Sequence, residues 1–412
     1  MKIAVFVESF PHLTQKFIID QMIYFSARGC EIKLFVSRKN TNNQPELVQN
    51  KSIYEEKLLI IEDRLLNVKQ KISYITKELF DHVKSTSIFE TIVLLKNNFK
   101  QFSKMDFHFL YNYFIIKEVE GYDIVHVHFG PMGNYFLQFR ERGFFTKPKI
   151  IVSFHGLDLH VDDFKKKYEK LFIEAHLITV NSKYSRDIIF ESSINHKEKV
   201  KLLPIGTDTE FFKPINKQGS NNSFKILFSG RLIKLKGAES AILIIEKLIK
   251  NRINKDIKLI IAGDGPERFS LEKMVAEKEI SNSVEFKGAV NQLELRGIYG
   301  QADLFLFPGI RDPNSNRAEA QGLVIQEAQA MELPVITSKV GGIKYGLIDG
   351  VTGFVLDEFD IEGYVEKIML LIDNEDLRIS MGKAGREFVI ENYDSILLGE
   401  KLYDFYLEAL KI

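Results

Sequence analysis

Several things are scarce in this sequence, and each scarcity excludes a class of protein. Cys30 is the single cysteine in 412 residues. One thiol cannot close an internal disulfide, which fits a reducing compartment. Lysine plus arginine number 56, as do aspartate plus glutamate, so the formal net charge is zero. No global field draws such a chain onto nucleic acid, and nucleic acid is not an expected partner. There is no uninterrupted apolar run of about 18 residues, the length a membrane-spanning helix needs. The opening KIAVFVESFPH is apolar only as far as Glu8 and reads as a first strand rather than a secretory leader. A cytoplasmic location is expected, with room for a peripheral contact at the inner face of the cytoplasmic membrane.

What is present is a repeated alternation of strands and helices. At 412 residues and 45% apolar content, the chain is too long for one average core and predicts two domains. KIAVFV, a helix around FIIDQMIYFSARG and EIKLFVS form a βαβ pattern. Residues 38–110 read as a helical excursion in several pieces, rich in Lys, Phe, Leu and Asn. The rhythm resumes with DIVHVHF, PKIIVSFHG, HLITVNS and KVKLLPIG. It stops at PINKQGSNNS, residues 214–223, a linker by composition. It then restarts with FKILFSG, IKLIIAG, VEFKG, ADLFLFPG, LPVITS and GFVLD. The expected division is 1–213, linker 214–223, 224–385, and C-terminal helices over 386–412 that cross back to the first domain. The fold class is α/β, with two doubly wound parallel units and a cleft between them, where small-molecule sites favour forming.

Chemistry concentrates at the strand ends of the second unit. FSG-Arg231, AGDGP (262–266) and KVGG (339–342) are glycine turns directly after strands, and glycine lets backbone N–H groups approach a phosphate. None is the GxGxxG dinucleotide fingerprint or a Walker loop. In GRLIKLKG, Arg231 and Lys236 could each meet a diphosphate, while Lys234 reads as a surface charge. In EAQGLVIQEAQA, Glu319 belongs to the loop before a helix starting near Gly322 or Leu323, and Glu327 to its second turn. A carboxylate accepts from paired hydroxyls, so a ribose or hexose diol suits either position.

Together these motifs resemble the large bacterial glycosyltransferase family 4, retaining enzymes with two facing Rossmann-like domains, the GT-B arrangement. The family's paired glutamates appear as EAQGLVIQE, its lysine loop as GRLIKLKG, its GxGP turn as GDGP and its Pro-Val strand and Gly-Gly as PVITSKVGG. FPHLTQKF, HVHFG and SFHGLDLH resemble a subgroup of exopolysaccharide and lipopolysaccharide biosynthesis. The resemblance implies a hexosyltransferase using a UDP-sugar or GDP-sugar and a glycan or lipid-linked glycan acceptor. It implies donor contacts at Arg231, Lys236, Gly263, Gly265, Gly322, Leu323 and Glu327. It places Glu319 at the transferred sugar and His155, with His128 and Asp158, on the acceptor side. Arg231 and Lys236 would stabilise the leaving diphosphate without a cofactor or metal. The one Asp-Asp pair, Asp162 and Asp163, lies in the first domain. His126 and His128 share a strand face but have no third zinc ligand in view. Ser182 or a neighbour is expected to cap the next helix, and Ser182 and Tyr184 are further phosphate-side candidates. Thr14, Gln15 and Lys16 depart from the subgroup's start, and Lys344 and Tyr345 replace the proline and glutamate after Gly-Gly. A glucan- or sucrose-type transferase, a nucleotide-sugar 2-epimerase and a non-catalytic nucleotide-sugar-binding or scaffold protein are the alternatives.

Overall fold

The strands are short runs of branched and aromatic residues with little polar alternation, as a parallel sheet covered on both faces requires. The computed structural model describes residues 1–10, 15–39, 58–60, 68–85, 92, 95–96, 107–215, 223–251 and 256–411. Two compact units result. One comprises Met1–Val180, Ile188–Lys201 and Lys401–Ile412, the other Asn181–Asp187 and Leu202–Glu400.

The first unit holds β1 (Lys2–Phe10), β2 (Glu31–Lys39), β3 (Leu58–Ile60), β4 (Ile124–His128), β5 (Lys149–Phe154), β6 (Leu177–Val180) and β7 (Val200–Leu202), in the order β3-β2-β1-β4-β5-β6-β7. From β3 to β6 every pairing is parallel. The order reverses direction beside β1 and β4, and such switch points open a crevice at the carboxyl ends of the strands. All five residues of β4 are buried, including both histidines.

The second unit holds β8 (Ser223–Ser229), β9 (Asp256–Ala262), β10 (Val284–Gly288), β11 (Leu304–Phe307), β12 (Val335–Ser338) and β13 (Gly353–Leu356), ordered β10-β9-β8-β11-β12-β13 and parallel throughout. Its switch point lies between β8 and β11. Phe228 and Phe307 stack at 5.8 Å beneath the carboxyl ends of those two strands, giving the loops above a rigid floor.

The excursion expected to be helical over 38–110 is only partly so. Helices Val68–Ser85 and Phe107–Ile116 meet through a small core of Ile75, Leu110, Tyr111 and Phe114. Leu58–Ile60, however, adds an edge strand, with Leu34, Phe35 and Val36 opposite Leu58, Leu59 and Ile60. Three residues cannot display a period, so only the pairing reveals this strand. Thr14 and residues 216–222 of the expected linker lie outside the described residues.

The last helix, Ser395–Lys411, is tied to the first sheet by a buried hydrogen bond. His126 Nδ1 lies 2.6 Å from the Tyr406 hydroxyl, while its Nε2 lies 2.7 Å from Ser153 Oγ. Both rings are at most 1% exposed. Tyr406→Phe should leave a ring nitrogen unpaired in a dry site, at about 1–3 kcal/mol. Thermal denaturation should show a fall in Tm of several degrees. An unchanged Tm would mean the bond contributes nothing.

Candidate active site

Glu319 occupies the loop that follows β11. Its carboxylate pairs with the Lys236 ammonium, which arrives from the loop after β8. The backbone N–H groups of Gln321 and Gly322 also favour its charged form, by weaker hydrogen bonding. Burial alone would push this carboxyl up, but the Lys236 charge and these hydrogen bonds outweigh it and hold the group below its usual range. Gly322 then takes the left-handed conformation, φ 78°, and caps helix Leu323–Ala330. The loop is thus closed by its own acid, and Leu323 opens the helix directly behind it.

The Gly341–Gly342 turn after β12 presses against this loop. Gly342 N–H donates to Glu319 O at 2.8 Å, and a Cβ on Gly342 would fall 1.7 Å from Ala320 O. The same backbone-on-backbone contact explains Gly263 and Gly265. A Cβ at Gly263 would meet Gly230 O at 1.9 Å, and one at Gly265 would meet Leu232 O at 2.5 Å. Gly263 N–H already donates to Gly288 O at 2.8 Å, and Gly265 N–H to Asp264 Oδ1 at 2.7 Å. These two glycines permit two loops to touch, and their N–H groups are already engaged.

Arg231 and Lys236 differ in state. Arg231 is exposed, and among the described residues no carboxylate lies within ion-pair distance of it. Lys234 bridges Glu239 at 2.7 Å and Glu267 at 3.2 Å, a surface charge as expected. Glu327 stands in the second turn of its helix, and its Oε2 accepts from the Tyr299 hydroxyl at 3.1 Å. Tyr299 is fully buried, and no motif in GIYGQADL singles it out. Ser182 Oγ caps helix Lys183–Glu191 by accepting from Ser185 N–H at 3.1 Å. Lys344 and Lys183 place their ammonium groups 5.1 and 5.6 Å from the Tyr345 ring.

In the first unit, His128 ends β4 and His155 follows β5, with His128 Nδ1 3.0 Å from His155 Nε2. Phe17 and Phe129 lie against the His155 ring at 5.0 and 4.7 Å. Burial holds His126 and His155 down at about 3, and His128 well below its ordinary value, so all three are neutral near pH 7. The Asp158 carboxylate accepts 3.0 Å hydrogen bonds from the N–H groups of Gly130, His155 and Gly156 and so organises the turn. Among the described residues no group of three or more His, Cys, Asp or Glu is placed to hold a metal.

The Lys236–Glu319 pair carries a pH prediction. With side chains 20% and 18% exposed, it sits between a surface pair, worth about 0.5 kcal/mol, and a buried one, whose breakage costs roughly 3 kcal/mol. The folded pKa of Glu319 lies below the unfolded value of about 4.3. Its contribution is therefore complete above that value and disappears as pH falls through the folded pKa. In Lys236→Met, burial should dominate and raise the carboxyl pKa. Melting from about pH 3 to about pH 8 should show the wild type losing this contribution as pH falls, and the variant instead losing stability as pH rises through its raised folded pKa. Parallel curves would contradict the pairing.

Two family models match consecutive parts of the chain, Glycosyltransferase Family 4 over residues 15–211 and Glycosyl transferases group 1 over 210–388. Among curated proteins, a GDP-mannose-dependent monoacylated alpha-(1-6)-phosphatidylinositol monomannoside mannosyltransferase of Corynebacterium glutamicum is 27% identical over 62% of this chain and 68% of its own length. A D-inositol 3-phosphate glycosyltransferase of Pseudarthrobacter chlorophenolicus is 27% identical over 51% of this chain and 50% of its own. The capsular polysaccharide biosynthesis glycosyltransferase CapM of Staphylococcus aureus is 27% identical over 58% and 63%. The chain thus spans between half and about two-thirds of the length of these relatives. Among solved structures, a glycosyltransferase from Rickettsia africae has TM-score 0.73 at 20% identity, covering 100% of this chain and 98% of that one. Anabaena Alr3699/HepE in complex with UDP has TM-score 0.71 at 15% identity, covering 99% and 100%. With both models matching end to end and the fold shared over full length, this chain belongs to glycosyltransferase family 4 and has the GT-B fold.

Proposed function

We propose that the protein is a retaining hexosyltransferase that moves a hexose from a UDP-sugar or GDP-sugar to a growing bacterial surface glycan, lipid-linked or of the lipopolysaccharide or exopolysaccharide type. The observation that carries this reading is the placement of Glu319, Lys236 and Arg231 at the carboxyl ends of β8 and β11, with Glu327 one helical turn beyond Gly322. The relatives' names point to GDP-mannose in one case and capsular polysaccharide in another, and HepE was solved with UDP. Both nucleotides stay in the proposal.

In the proposed reaction the acceptor oxygen bonds to the anomeric carbon on the face the nucleotide leaves. The bond from that carbon to the diphosphate breaks, and a diphosphate oxygen takes the acceptor proton. The neutral His155 is too weak a base to compete for that proton, which favours the leaving group in that role. His155 instead offers a hydrogen bond to a sugar hydroxyl, with His128 behind it. Arg231 and Lys236 supply positive charge to the departing diphosphate without a metal. Lys236 would be shared between that charge and Glu319.

Binding and slow hydrolysis across a panel of UDP- and GDP-sugars test this directly. One donor should bind selectively, with Arg231→Ala weakening it about tenfold or more. Glu319→Gln should lower kcat more than it raises KM, Glu327→Ala should weaken donor binding, and chelator should change nothing. Absence of any donor binding by folded protein, or loss of activity with chelator, contradicts the reading.

The membrane side of the proposal rests on helix Val68–Ser85. Ile72, Phe80 and Val83 are 43%, 60% and 37% exposed. Lys69, Lys77 and Lys84 are exposed beside them, and Lys84 Nζ lies 4.2 Å from the Phe80 ring centre. Apolar groups ringed by lysines suit an anionic bilayer surface. Wild-type protein should co-sediment with phosphatidylglycerol vesicles and not with phosphatidylcholine vesicles, and Phe80→Ser should weaken this. Equal behaviour with both vesicles would remove the membrane contact from the proposal.

A further inference from the structure

Glu327 can serve a ligand only if its flexible side chain is held in one place, and the structure shows what holds it. Tyr299, on helix Gln292–Gln301, is fully buried. Its ring packs between Phe212 and Phe305, with centroids at 6.0 and 5.8 Å. Its hydroxyl donates toward Glu327 Oε2 at 3.1 Å and Val324 O at 3.2 Å. The Ser229 side chain also bears on the phenol, by a weaker interaction that favours its ionised form. Ser229 is 4% exposed and is the last residue of β8, directly before Gly230 and Arg231. The Tyr299 hydroxyl therefore joins helix Gln292–Gln301 to the helix that carries Glu327, with Ser229 near by at the strand end that launches Arg231.

We propose that Tyr299 is a positioning residue for donor recognition, orienting the Glu327 carboxylate toward the vicinal hydroxyls of the nucleoside ribose, with Ser229 as the phenol's neighbour on the strand side. The proposal rests on reading Glu327 as the ribose contact. A phenol buried beside a carboxylate keeps its proton, because burial first and the Glu327 charge second push it well above its ordinary range. It therefore stays a donor near neutral pH. A carboxylate offers about four acceptor positions, and a diol needs two. A group fixed before binding loses less entropy on meeting its ligand, and the gain appears in affinity and selectivity rather than in the chemical step.

The test compares UDP with 2′-deoxy-UDP, and GDP with 2′-deoxy-GDP, by titration calorimetry on the full chain. Wild-type protein should prefer the ribo form of its nucleotide by about tenfold. Tyr299→Phe keeps the ring packing and should cut that preference to about threefold, weakening the ribo form while leaving kcat at saturating donor within about twofold. On a Glu327→Ala background Tyr299→Phe should have no further effect. Ser229→Ala should shift the preference in the same direction by less, and it decides the matter if Tyr299→Phe does not fold. An undiminished preference in Tyr299→Phe or Ser229→Ala, where Glu327→Ala abolishes it, overturns this inference and leaves the reading of Glu327 standing. An unchanged preference in Glu327→Ala itself overturns the reading on which the inference rests.

Discussion

A carboxylate at the end of a covered sheet becomes neutral unless something offsets its lost hydration, and Glu319 stays charged because Lys236 lies against it. That pair ties the loop after β8 to the loop after β11 across the switch point of the second sheet. It places a negative and a positive group side by side, where on the proposed reading a nucleotide's diphosphate and sugar would meet. A donor arriving there would compete with Glu319 for the Lys236 charge, so binding and the release of the carboxylate would be coupled. Arg231, exposed on the same loop, carries no such obligation among the described residues.

Around this pair the loops touch through bare backbone. Gly230 against Gly263, Leu232 against Gly265, Gly237 against Pro308 and Gly342 against Ala320 leave no room for a Cβ. Adjacent strands of a parallel sheet are about 4.8 Å apart, so the loops at their ends either splay outward or pack at glycine. Packing at glycine keeps four loop segments rigid over the stacked Phe228 and Phe307. Rigid loops let a few polar side chains be held in place by neighbours, as Glu327 is by Tyr299.

Much of the fold was legible in the sequence because strands covered on both faces stand out as apolar runs between turn residues. β1, β4, β8 and β11 could be read in this way. The three-residue β3 could not, since it has too few residues to show a pattern. In the site, EAQGLVIQE marks Glu319 and Glu327, but not that Lys236 lies against the first or Tyr299 against the second, 83 and 28 residues away. HVHFG shows that His126 and His128 share a face. It does not show that His126 meets Tyr406, 280 residues later. Gly263, Gly265 and Asp158 have the residue types of a ligand site, yet their hydrogen-bonding groups are used within the fold. Residue type reports what a group can do. Only its neighbours show whether it is free to do it.

The most direct measurement is a crystal structure of the protein grown with the nucleotide sugar it binds. The account predicts diphosphate oxygens within hydrogen-bonding distance of Arg231 and Lys236, ribose hydroxyls on the Glu327 carboxylate, and Glu319 beside the sugar. A nucleotide bound elsewhere, or a diphosphate held by other cations with Lys236 still paired to Glu319, would contradict it.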